Sequence, residues 1–140
     1  MSNIVVLPMI LPIITAICLV FLNDFIRLQR IISLVTVIVV ALITGVILFE
    51  VRAEGIISID FSGWAPPFGI LFVADSFAVM LVIMASIVTA ICLLYAFASL
   101  PSNYENMYVY PFVLFLLAGV NGSFLTADIF NLFVCFEVML

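Results

Sequence analysis

The sequence predicts an all-α integral membrane protein of about five transmembrane helices, the fifth incomplete, with a short surface β-hairpin between helices 2 and 3. Three observations carry this. Apolar residues make up 69% of the 140 residues and charged residues 8%, whereas soluble domains run near half apolar and a quarter charged. Apolar stretches of about 20 residues recur along the chain, long enough to cross a hydrocarbon core of about 30 Å. One long interval between them alternates apolar and polar residues, the period of a strand. A chain this apolar could not cover a soluble surface, so its solvent is lipid. We read residues 1–140 as a single membrane unit.

The first apolar run, residues 4–22, holds Pro8 and Pro12 four positions apart, near one face. A kinked helix is expected, its freed carbonyls satisfied by neighbouring helices. No basic segment precedes it, so it reads as a retained span rather than a cleaved signal. A loop "NDFIRLQR" (23–30) follows, and then a Val- and Ile-rich run at 31–49. The third and fourth runs are 77–98 and 108–127, with Pro111 in the first turn of the fourth, where a missing N–H costs little. A fifth begins at 128 and has only 13 residues to position 140. At 1.5 Å per residue it spans about 20 Å, short of the core. The expectation is therefore the N-terminal portion of a larger polytopic protein, or a site completed by another chain.

Residues 50–76 form the long interval. "IISIDFS" (56–62) and "GILFVAD" (69–75) read as two strands, and "GWAPPFG" (63–69) as their reversal, with Trp64 at the membrane interface. Asp75 is placed to cap the third helix. Arg27 and Arg30 put the first loop on the cytoplasmic side, against Arg52 on the other, which sets the N-terminus outside.

Charge and residue types exclude several functions. A net charge of −5 argues against nucleic acid. There is no histidine, no lysine and no CxxC pair. Cys18, Cys92 and Cys135 read as small core residues, and no metal or cofactor is expected. There is no phosphate loop and no nucleophile–base pair, so nothing supports enzyme chemistry.

One residue stands apart. Glu137 is nine positions after Asp128, about 13.5 Å along the axis and so near the bilayer midplane. Its neighbours on that face, Val134, Phe133 and Phe130, are apolar. A charged carboxylate there costs at least about 2.5 kcal/mol. All three arginines are expected in loops, away from this depth. A carboxyl that gains and loses a proton halfway across is the minimal part of a proton relay, and a buried structural acid is the alternative. Asp128, about 180° round the helix from Glu137, is read first as a helix cap, with a place in a secondary polar pathway as the alternative. Ala118 with Gly122, and Gly119 with Ser123, form small-xxx-small pairs suited to close helix packing. Asn121 and Asn131 are open to either helix–helix hydrogen bonding or a polar pathway.

The stretch "GVNGSFLTADIFNLFVCFEVML" (119–140) closely resembles the D subunit of the multisubunit Mrp-type monovalent cation/proton antiporters. "SGWAPPFGILFVADSFAVMLV" (62–82) resembles the segment after that family's second helix. The family is related to the antiporter-like subunits of respiratory complex I and of membrane-bound hydrogenases. The resemblance implies an outside N-terminus, inverted five-helix repeats and a bacterial cell membrane location. It implies other subunits of a hetero-oligomeric complex as partners, with protons and sodium as cargo. It makes Glu137 the essential ion-pathway acid, its partner a lysine two helices further on, and this chain has no lysine. Three functions are weighed: a subunit of a sodium/proton antiporter, a proton-pumping subunit of a redox complex, and a non-transporting structural subunit.

Overall fold

The computed structural model describes residues 2–60, 69–105 and 107–140. Trp64 and most of the expected reversal lie outside them. A short 3-10 turn at Ser2–Val6 leads into α1 (Leu7–Phe21) and α2 (Ile26–Glu54). Strands β1 (Ile57–Asp60) and β2 (Leu71–Ala74) precede α3 (Ser76–Ser99), and a single turn, α4 (Ser102–Glu105), leads to α5 (Val109–Leu125) and α6 (Ile129–Met139). Three helical stretches, Ile4–Phe21, Ile26–Glu54 and Ser76–Ser99, are long and apolar enough to cross a membrane, and α5 and α6 are shorter apolar helices. The outer faces are apolar too: Ile14, Leu42, Ile87 and Phe112 are all exposed. Such residues outside and inside suit lipid.

The second helix is longer than its apolar run. It has 29 residues, about 43 Å, against a hydrocarbon core of about 30 Å. Arg27 and Arg30 therefore lie in its first turns and Arg52 in its last, not in loops as the sequence suggested. The apolar run 31–49 is about 28 Å long as helix, enough on its own for the hydrocarbon core. Arginine, glutamine, glutamate and alanine are good helix formers, so the helix continues past both ends of it.

The first helix bends its rules at Pro12, which has no N–H to give the Pro8 carbonyl. Asn121 Nδ2, from α5, donates to that carbonyl at 2.9 Å. Both prolines are buried. Thr15, Thr36, Thr44, Ser86 and Thr89 each donate to the carbonyl four residues back, which hides their hydroxyls inside apolar helices.

The two strands are antiparallel, with Ile59 opposite Phe72. Both are buried, while Ser58 and Asp60 are exposed, as period-2 alternation requires. Ile59, Phe72 and Ala74 join Val51, Val79 and Leu125 in one apolar cluster. The hairpin is thereby packed down over the helix ends. A second cluster, around Leu19, Val37, Leu93 and Leu114, fills the other half of the bundle.

The cysteine expectation needs correction. Cys135 is buried, but Cys18 and Cys92 are exposed. Their helices are apolar on every side, so an apolar context does not mark the inner face.

Candidate functional site

Three restraints fix the start of α6. The chain between α5 and α6 is extended at Thr126. There the Ala127 N–H donates to the Leu71 carbonyl at 2.9 Å, and Thr126 forms an antiparallel bridge to Phe72. The linker thus adds a third extended segment to the edge of the hairpin. Asp128 then caps the helix, accepting from the N–H groups of Phe130 and Asn131 at 3.3 Å each. Asn131 Nδ2 donates back to Thr126 Oγ1 at 2.9 Å.

From this anchored start, Glu137 lies nine residues along. Asn131 and Cys135 are buried, so their side is the one that meets α5. Glu137, two residues from Cys135, points about 160° away from it. It is exposed, together with Phe130, Phe133, Val134 and Phe136. The carboxyl has no hydrogen-bond or ion-pair partner among the described residues. It stands on an apolar face that those residues leave uncovered, along the side of the helix.

The other polar residues singled out from sequence are engaged elsewhere. Asn121 is buried on α5 and turned toward α1, its Nδ2 on the Pro8 carbonyl and its Oδ1 without a partner among the described residues. Asn131 and Asp128 belong to the turn that opens α6. None of the three is hydrogen-bonded to Glu137. Among the described residues no group of three or more Cys, Asp or Glu side chains could hold a metal ion.

Sequence reasoning missed a second carboxylate. Glu105, in α4, is 1% exposed. Its Oε1 accepts from Arg30 Nε at 3.0 Å, from Arg30 Nη2 and from Tyr110 Oη at 2.7 Å. The Arg30 guanidinium also lies over the Phe97 ring, 5.8 Å from its centroid. Tyr108, before α5, takes a left-handed backbone with φ 58°. That conformation is uncommon outside glycine. Two residues on, Tyr110 donates to Glu105 from the first turn of α5. The pair of Arg30 and Glu105 spans 75 residues of sequence, so no local pattern could have signalled it. It ties the first turns of α2 to the segment before α5, placing both at the end of the bundle opposite the hairpin.

The glycines of α5 explain how closely α6 approaches. A Cβ on Gly119 would lie 2.5 Å from Met139 Cγ and 2.8 Å from the Cys135 carbonyl oxygen. One on Gly122 would lie 2.7 Å from Cys135 Sγ.

No family model matches the chain. All 140 residues align at 48% identity with the D subunit of a Na+/H+ antiporter from Alkalihalophilus pseudofirmus. The chain resembles the N-terminal part of that protein. It spans 28% of the relative's length. The fold of a chain in the Mrp complex from a Dietzia species matches over 99% of these residues, with a TM-score of 0.89, 28% identity and 26% of that chain covered. A chain of an archaeal respiratory complex, the membrane-bound sulfane sulfur reductase, matches over 96% with a TM-score of 0.80 and 26% identity, 28% of it covered. The likeness to the antiporter's D subunit and the apolar helices together identify a multi-pass membrane protein.

Proposed function

We propose that this chain forms the N-terminal membrane part of a cation/proton antiporter subunit, in which Glu137 binds and releases a proton within the bilayer. One observation carries the reading: a carboxyl nine residues into an apolar helix, on an uncovered apolar face, with no partner among the described residues. Ionisable groups inside membranes are rare and mark ion and proton pathways. Losing its charge is the cheapest way for such a group to tolerate hydrocarbon. A cation nearby would draw the proton off again. Arg30 is held by Glu105, and Arg27 and Arg52 lie in the terminal turns of α2, so the cation comes from outside these 140 residues. Proton movement is then coupled to sodium in a complex of several subunits in the bacterial cell membrane, with the N-terminus outside. The chain is part of a transporter and carries out no covalent chemistry.

The test is exchange in membrane vesicles carrying the full assembly. Glu137→Gln abolishes pH-gradient-driven sodium exchange, and Glu137→Asp retains part of it. Exchange at the normal rate in Glu137→Gln contradicts the reading. The likeness to a respiratory sulfane sulfur reductase favours a second reading, a proton pump powered by electron transfer elsewhere in its complex. Proton movement that needs an electron donor, and not a sodium gradient, selects it.

A further inference from the structure

We infer that Gly119 and Gly122 are positioning residues for Glu137. They set the rotation of α6 about its axis and hence the face on which the carboxyl emerges. This rests on the proposed role of Glu137 for its meaning, though the positioning can be read without transport.

The residues of α6 that press on the two glycines, Cys135 and Met139, flank Glu137 in sequence by two positions on either side. Two residues are about 200° of helix, so each lies roughly opposite Glu137. Whatever holds Cys135 and Met139 against α5 therefore aims Glu137 away from it. The depth of α6 is fixed separately, by the bond of Ala127 to β2 and the cap of Asp128. An added methyl on α5 leaves that anchor in place and crowds Cys135 and Met139, which presses α6 to tilt or turn.

The two glycines meet different obstacles, and this makes the inference sharp. At Gly122 the nearest atom is the Cys135 sulfur at 2.7 Å, followed by Met9 Sδ at 3.1 Å. These are side-chain atoms, and removing the sulfur opens the space. At Gly119 the Met139 side chain is backed by main chain, the Cys135 carbonyl at 2.8 Å and the Met139 nitrogen at 3.2 Å. No side-chain truncation removes those. Substitution at Gly122 is thus repairable from α6, and substitution at Gly119 is not.

The experiment uses the full assembly in native membranes and reads the labelling rate of Glu137 by dicyclohexylcarbodiimide, which reacts with protonated carboxyls in apolar surroundings. Sodium exchange is measured alongside. Gly122→Ala changes the labelling rate several-fold and lowers exchange by up to about a hundredfold, the scale of a displacement near 1 Å. Adding Cys135→Ala restores both. Gly119→Ala has the same effects, and Met139→Ala does not restore them. Cys135→Leu, which fills the same gap from the other side, changes labelling like Gly122→Ala. If Gly122→Ala prevents assembly, recovery of assembly by Cys135→Ala supports the inference, and failure to recover contradicts it. Wild-type labelling in both Gly122→Ala and Cys135→Leu overturns it. Altered labelling with unchanged exchange leaves the positioning intact and overturns the transport role of Glu137 instead.

Discussion

Glu105 and Glu137 are both carboxylates in a chain made mostly of hydrocarbon, and the bundle treats them in opposite ways. Glu105 sits in a short turn at the end of the helices, is almost wholly buried, and has three donor groups on one oxygen. Glu137 sits far along an apolar helix, is exposed on its side, and has no partner among the described residues. Bonded and paired, Glu105 is held in one arrangement, which makes it a fastener. Glu137 has no such fixed donors among the described residues, and the proposed function gives it the pathway role. In a chain this apolar, burial alone does not single out a candidate pathway acid; the lack of fixed partners does.

The largest effects are expected at Glu105. Arg30→Ala strands a buried carboxylate, and loss of one partner of a buried pair costs about 3 kcal/mol or more. The guanidinium is 34% exposed, which holds the effect toward the low end of that range. Thermal unfolding of the purified assembly should register it, and Glu105→Gln in the same background should recover part. Tyr110→Phe removes a single donor and should cost about 2 kcal/mol by the same measurement. Asn121→Ala leaves the Pro8 carbonyl bare in the bundle and should cost about 1 kcal/mol. A comparable loss, about 1 kcal/mol, is expected for Asp128→Ala, which removes the α6 cap. The smallest effect falls on the other carboxylate. Glu137→Gln should change thermal stability by less than about 0.5 kcal/mol, because it breaks no contact among the described residues.

Much of this architecture can be read from residue order alone. The apolar runs locate the helices, since only a helix can satisfy its own backbone in lipid. Alternation at 56–62 locates β1, and the small-residue pairs at 118–123 signal a close helix approach without identifying α6 as the helix that makes it. What escapes has a common cause. Apolar runs set the ends of α2 too short, because hydropathy reports where hydrocarbon lies while helix propensity decides where the helix stops. Glu105 is not legible because its polar setting, "SNYEN" (102–106), looks like any solvated loop, and its partner is 75 residues away. Gln29, which donates to the carbonyls of Leu19 and Leu22 at the end of α1, escapes in the same way, as one polar residue among others in "NDFIRLQR" (23–30). Glu137 stands out as a candidate because its chemistry conflicts with its neighbours, and such conflicts are local.

The most direct test compares the two acids in one experiment. Glu105→Gln and Glu137→Gln are placed separately in the full assembly, and sodium exchange is normalised to the amount of assembled complex. The account predicts that Glu105→Gln lowers the amount assembled while the complexes that form exchange normally, and that Glu137→Gln assembles normally and does not exchange. Normal exchange per complex in Glu137→Gln would contradict it.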